Sequence, residues 1–133
     1  MGYGPMVGVD LSPGMLSVAK RKDIYVELRQ MTLGEQLDLP DRTFGAIRCC
    51  GTISPKHAPA HSFDELVRVA KPGAVVVFSL RDDDAQEPEF LRKLEDLEHE
   101  KRWRPMFRTP NFRGMPYGDL QISHRVYVYE VSD

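Results

Sequence analysis

The sequence predicts an α/β protein built on a doubly wound, largely parallel sheet, and two observations support this prediction. Short β-favouring runs alternate with helical patterns along the whole chain, in the order strand, helix, strand, strand, helix, strand, helix, strand, strand. Residues 74–80 form an apolar run without polar alternation, which is typical of a strand covered on both faces. The last two strand patterns suit an antiparallel pair that closes the fold.

Composition limits the classes of protein to which the chain can belong. With 133 residues, 41% hydrophobic and 29% charged, it has the size and balance of one globular domain, 1–133. A formal net charge of -2 favours neither nucleic acid nor anionic lipid as a partner. No apolar run approaches the length of a membrane span, and adjacent Cys49 and Cys50 make a poor disulfide, so we expect a cytoplasmic protein.

The first elements are predicted from local signals. Residues 7–10 form a short apolar run that ends in Asp10, which predicts a strand. Ser12 and Pro13 have the residue types of a helix N-cap and first helical position, so a helix should follow and stop near residue 23. Its buried face is expected to carry Met15, Leu16 and Ala19.

Two more strands follow, each with a loop after it. Residues 24–31 alternate well enough for a strand, and 33–42 carry the turn residues of a loop. Residues 44–53 are apolar and β-favouring, and we predict a third strand there. The two prolines within 54–59 exclude a continuous helix or strand, so a second loop is expected.

The second half contains two predicted helices. Ser62 opens a capping-box pattern, and apolar spacing continues to a Lys-Pro-Gly turn at 71–73. Residues 87–101 predict an amphipathic surface helix, followed by closing strands at 102–109 and 121–131. The apolar stripe of the amphipathic helix consists of Phe90, Leu91, Leu94 and Leu97.

Three segments carry a resemblance to a known family. They are Val-Gly-Val-Asp-Leu-Ser-Pro-Gly-Met-Leu at 7–16, Leu-Pro-Asp-Arg-Thr-Phe-Gly at 39–45 and Leu-Val-Arg-Val-Ala-Lys-Pro-Gly at 66–73. They resemble successive segments of class I S-adenosylmethionine-dependent methyltransferases, in particular the methyltransferase-like proteins of animals. The resemblance implies a Rossmann-like sheet with helices on both faces, lacking the family's first strand and first helix.

The resemblance also implies cofactor-binding residues. Asp10 stands where the family has an acid that binds both ribose hydroxyls of S-adenosylmethionine, a task that suits a carboxylate. The segment after the next strand lies against the adenine ring in the family, and the end of the fourth family strand faces the methyl donor and acceptor. The residues implied are Asp10, Leu11, Met31, Thr32, Leu33, Cys50 and Gly51.

The sequence departs from the family pattern in two places. The family's first strand and its glycine-rich loop have no counterpart, and Gly2 and Gly4 stand in the turn before residue 7. Without that strand, the strands ending at Asp10 and beginning near Phe44 should each present an unpaired edge, which favours self-association. Gly45 replaces the aspartate that relatives usually carry.

These residues support more than one interpretation. The first is methyl transfer to a small-molecule or protein acceptor, without a residue identifiable as catalytic. The second is a non-catalytic, degenerate methyltransferase domain that binds a protein partner. A nicotinamide-dependent oxidoreductase also uses an acid after its second strand, but the downstream motifs favour a methyltransferase.

Other clusters are more simply explained by structure. His57 and His61 flank Pro59, and the acids at 82–84 follow a strand, so we predict solvated loops and no metal. Late aromatic residues suit either a lid over the acceptor or packing of the closing strands. They are Trp103, Phe107, Phe112, Met115 and Tyr117.

Overall fold

The computed structural model describes residues 6–10, 12–49, 58–83, 88–112 and 123–132. The chain divides into two compact units, Met1–Asp38 and Leu39–Asp133. Their elements follow the predicted order, with three helices and six strands in the described residues. These elements are β1 (Met6–Asp10), α1 (Pro13–Arg21), β2 (Tyr25–Gln30), β3 (Phe44–Cys49), α2 (Ser62–Val69), β4 (Ala70–Arg81), α3 (Pro88–His99), β5 (Trp103–Arg108) and β6 (His124–Val131).

The first unit is a strand, helix, strand motif. β1 and β2 are parallel, and α1 connects them. Ser12 caps α1 as predicted, because its Oγ accepts from the Met15 amide at 3.3 Å. The predicted buried face of α1 is only partly correct: Leu16 and Ala19 are half-buried, whereas Met15 is 57% exposed. A short helix over a two-stranded sheet has too little surface beneath it to bury all three residues.

The second unit contains a four-stranded sheet in the order β3-β4-β6-β5. β3 and β4 are parallel, while β6 is antiparallel to both β4 and β5. The predicted antiparallel closing pair is therefore present, with its last strand inserted beside β4. No helix among the described ranges is long and apolar enough to cross a membrane.

The core of the second unit is aromatic and lies on one face of the sheet. Phe78 of β4 stacks on Trp103 and Tyr127, with ring centroids 5.8 Å and 5.4 Å away. Phe63 of α2 lies 4.7 Å from the Phe78 ring, and the Trp103 indole donates to the Leu94 carbonyl of α3 at 3.3 Å. Both helices therefore cover this face and anchor the sheet.

The structure corrects the prediction for α2. His61 occupies the N-cap position and makes no side-chain cap bond, while Ser62 lies inside the helix. The Ser62 side chain is fully buried, and its Oγ has no hydrogen-bond partner among the described residues. Tertiary packing thus overrides the local capping-box signal. The helix also ends at Val69, before the Lys-Pro-Gly turn, which belongs to an irregular start of β4 with Gly73 at a φ of 82°.

Burial of β4 and α3 also differs in part from the prediction. Val76, Phe78 and Leu80 are almost fully buried on one face of β4, whereas Val75 and Val77 on the other face are half-buried. In α3, the predicted stripe is buried at Phe90, Leu94 and Leu97 but 39% exposed at Leu91. Leu91 therefore lies at the exposed margin of the stripe.

Candidate functional site

The first unit places Asp10 at the carboxyl edge of its sheet. Asp10 is the last residue of β1, and its Cα is paired with that of Gln30, the last residue of β2. Because the two strands are parallel, both end at the same edge, where open α/β sheets bind ligands. The backbone thus brings Asp10 beside the segment that follows β2, as the sequence predicts.

That segment forms a tight turn. Met31, Thr32 and Leu33 are half-buried, and the Glu35 amide donates to the Thr32 carbonyl at 3.3 Å. Gly34 has a φ of 104°, a backbone conformation that other residues rarely adopt. The turn therefore holds two apolar side chains and one hydroxyl directly after the strand that pairs with β1.

Close packing between the strands positions Asp10. A Cβ added to Gly8, two residues before Asp10, would lie 2.6 Å from Leu28 Cδ2 and 3.2 Å from the Tyr25 ring. A side chain at position 8 would force the tip of Leu28 to move, so glycine lets these side chains lie directly against β1. This close approach lies within the strand pair that ends at Asp10 and Gln30.

The second unit has its own carboxyl edge, formed by the parallel strands β3 and β4. Cys49 ends β3 and is 8% exposed, so it contributes to the core. The predicted site residues Leu11, Cys50 and Gly51 lie outside the described residues. Their assignment to the cofactor site therefore remains a prediction.

A polar network at the end of β4 was missed by the sequence analysis. Asp82 Oδ2 accepts from Asn111 Nδ2 at 2.9 Å and from Arg125 Nη2 at 2.9 Å. Two hydrogen bonds hold the pKa of Asp82 below its ordinary value. The bond from Asn111 has the larger effect and the bond from Arg125 the smaller. Asp83 accepts from the Ser123 amide at 2.8 Å and pairs with Arg81 at 3.0 Å. Both acids thus bind protein groups.

The structure gives different outcomes for the other candidate residues. Trp103 is 1% exposed and packs in the core, so packing explains it. Phe107 and Phe112 are 61% and 40% exposed, while Met115, Tyr117, His57 and Asp84 lie outside the described residues. In the part of the chain that the structure describes, no three His, Cys, Asp or Glu residues come together as a metal site.

Comparisons with known proteins identify the family from the sequence. The profile of the family described as "Methyltransferase domain" matches residues 1–78, more than half of the chain. Human Methyltransferase-like protein 27 is 34% identical over 113 residues, which covers 82% of this chain and 46% of that protein. The chain therefore spans about half the length of this curated relative.

Solved structures show the same fold at low sequence identity. N-methyltransferase NodS from Bradyrhizobium japonicum WM9, in complex with S-adenosyl-L-homocysteine, matches with a TM-score of 0.71 at 11% identity, covering 97% of this chain and 67% of NodS. The [4+2]-cyclase SpnF matches with a TM-score of 0.70 at 11% identity, covering 96% of this chain and 66% of SpnF. The predicted resemblance is confirmed: the chain belongs to the methyltransferase domain family and has the mixed α/β fold of class I S-adenosylmethionine-dependent methyltransferases.

Proposed function

We propose that this chain binds S-adenosylmethionine and contributes to methyl transfer to a small-molecule or protein acceptor. The observation that supports this proposal best is the placement of Asp10. It ends a parallel strand beside Gln30 and the 31–33 turn, in a chain that belongs to a methyltransferase family. Each of these elements corresponds to a part of the cofactor. Their meeting at one sheet edge would not be expected by chance.

The residues divide the binding task by their chemistry. The Asp10 carboxylate would accept hydrogen bonds from two neighbouring ribose hydroxyls. Met31 and Leu33 would contact the adenine ring, and Thr32 would offer a hydroxyl at its rim. Leu11, Cys50 and Gly51 complete the proposed binding set. When bound, the cofactor supplies an electrophilic methyl group, so the protein must mainly hold the acceptor in line with it.

A second candidate function is that of a non-catalytic binding module. Among the described residues, β1 pairs with β2 alone and β3 pairs with β4 alone, so each has one edge without a strand partner. Such edges accept an added strand from another chain, including a second copy of this one. The two functions predict different responses to the cofactor.

Calorimetric titration with S-adenosylmethionine and S-adenosylhomocysteine distinguishes them. For a methyltransferase site, we expect saturable binding of both compounds by the folded 133-residue chain. Asp10→Ala should then weaken affinity by about 1–3 kcal/mol, or roughly five- to 150-fold in Kd, because charged hydrogen bonds are lost. Circular dichroism of each variant establishes that it is folded.

A matched variant controls for the loss of charge. Asp38→Asn also removes one carboxylate from the first unit, at a side chain that is 97% exposed and lies beyond the 31–35 turn. It should leave the affinity within about twofold of the unchanged protein, because exposed ion pairs contribute little. Equal affinities for Asp10→Ala and Asp38→Asn would remove Asp10 from the site. A folded chain that binds neither compound would favour the binding module.

A further inference from the structure

The carboxyl end of β4 bears a group of polar residues that we call the Asp82 junction: Asp82, Asn111, Ser123 and Arg125. Asn111 Nδ2 donates to the Asp82 main-chain carbonyl at 2.8 Å and lies 2.9 Å from its carboxylate. Arg125 donates to the same carboxylate oxygen from Nε at 3.1 Å and from Nη2 at 2.9 Å. One carboxylate therefore joins the segments after β4 and β5 to β6.

Main-chain hydrogen bonds complete the junction. The Asp82 amide donates to the Ser123 carbonyl at 2.9 Å, and the Ser123 hydroxyl donates to the Asp82 carbonyl at 3.0 Å. Phe112, which lies beyond the end of β5, and His124, the first residue of β6, exchange two amide-to-carbonyl bonds of 2.9 Å and 2.8 Å in an isolated bridge. The Thr109 amide donates to the Val126 carbonyl at 2.9 Å on the side of this bridge toward β5, and the side-chain bonds of the junction add support on the side toward Ser123.

The charges around Asp82 favour this arrangement. The hydrogen bond from Asn111, and after it the charges of Arg125 and Arg108, lower the pKa of Asp82, whereas Asp83 is engaged by Arg81 and by the Ser123 amide. The Asp82 side chain is 31% exposed and that of Arg125 is 25% exposed. Partial burial makes their charge-assisted bonds directional and leaves Arg125 poorly compensated if the carboxylate is removed.

We propose that Asp82 is a positioning residue that holds the chain at Asn111 and Phe112 against the chain at Ser123 and His124. The junction opens as a local unit while the four-stranded sheet remains intact. It lies at the edge where ligands of α/β sheets bind, so under the proposed function it would shape the acceptor side. The role in shaping the acceptor side rests on the proposed function, whereas the role in holding the two chain segments together does not.

Amide hydrogen exchange of the 133-residue chain tests the proposal. In Asp82→Ala, the Phe112 and His124 amides should exchange about tenfold faster, while Val77 and Val128 in the central strand pair should change by less than about twofold. Asp82→Asn keeps one acceptor oxygen and loses the charge, so it should restore part of the protection. This partial rescue is what distinguishes positioning by hydrogen bonds from simple filling of space.

Glu130→Gln is the matched control. Glu130 lies on β6 and, like Asp82, accepts from both Nε and Nη2 of an arginine, here Arg104, at 3.1 Å and 2.8 Å. Removing its charge should leave exchange at Phe112 and His124 unchanged. If Asp82→Ala does not fold, Asn111→Ala takes its place and should accelerate the Phe112 amide by about threefold.

Two results would overturn the proposal. One is unchanged exchange at Phe112 and His124 in the folded Asp82 and Asn111 variants. The other is an equal acceleration at Val77 and Val128, which would mean that Asp82 acts on the whole sheet. Exchange requires no methyl donor, so a chain that shows the expected pattern but binds no S-adenosylmethionine would contradict the proposed function alone.

Discussion

The two units differ in how they are held together. Among the described residues, every buried hydrophobic side chain except Leu37 belongs to the second unit, and α1 of the first unit buries none of its residues. The second unit instead has two helices and five aromatic rings packed on one sheet face. Yet Asp10 and the 31–33 turn lie in the first unit. Stability and proposed cofactor recognition are therefore concentrated in different parts of the chain.

The largest effect should come from the centre of the aromatic core. Phe78 is fully buried and contacts four other rings, so Phe78→Ala should lower the free energy of unfolding by about 3–5 kcal/mol. Urea denaturation followed by circular dichroism measures this loss. Phe107→Ala removes the same atoms from a side chain that is 61% exposed and should cost no more than about 0.5 kcal/mol. Similar losses in both variants would contradict the assignment of the core.

The first unit should be most sensitive to a larger residue at Gly8, where the backbone of β1 lies close to side chains of β2. Gly8→Ala places a methyl group against Leu28 and should cost about 1–2 kcal/mol by overpacking, moderated because the tip of Leu28 can move. Hydrogen exchange of the β2 amides measures this effect in the first unit. Leu28→Ala removes the clashing atoms, so the double variant should lose less than the sum of the two single losses. Strict additivity would show that the two side chains do not compete for space.

A smaller effect of opposite sign is expected at the start of α2. Ser62 buries a hydroxyl for which the described part of the chain offers no hydrogen-bond partner, and burial of an unsatisfied polar group is unfavourable. Ser62→Ala should therefore stabilise the second unit by up to about 1 kcal/mol. Thermal unfolding of the two proteins at neutral pH measures the difference. A lower melting temperature for Ser62→Ala would show that the hydroxyl has a favourable partner or role.

The smallest effect should be the pH dependence contributed by Asp82. Its pKa lies below the ordinary value of 3.8, so its contribution to stability is present above pH 3.8 and is lost as the pH falls through the folded-state pKa. The contribution should not exceed about 1 kcal/mol, because the ion pair is partly exposed. Asp82→Asn should flatten the unfolding free energy between roughly pH 5 and pH 2 relative to Glu130→Gln. Parallel pH curves would contradict this expectation.

Features that depend on neighbouring residues in sequence were the most predictable. Ser12 and Pro13 start a helix because capping acts over a few residues, and Asp10 can be assigned to the end of a strand for the same reason. The predicted cap at Ser62 and the predicted burial of Leu91 were wrong, because packing between elements sets the environment of both residues. A capping signal competes with burial, and only the assembled sheet decides the outcome.

The Asp82 junction also could not be predicted from local sequence signals. Asp82 is separated from Asn111 by 29 positions and from Arg125 by 43, so no local spacing links them. A run of acids after a strand indicates only a polar loop when it is seen in the sequence. The inserted position of β6 beside β4 is what brings Arg125 to this end of the sheet. Topology, more than motif, created this contact.

Trp103 makes the second unit observable by itself. It is the single tryptophan of the chain, fully buried, and stacked 4.2 Å from the Tyr129 ring. Its fluorescence emission should report loss of the aromatic core, whereas far-ultraviolet circular dichroism reports helices and strands of both units. If the two signals change at different urea concentrations, the first unit loses its structure in a separate transition. The protein thus carries an intrinsic optical probe for the unit that does not contain Asp10.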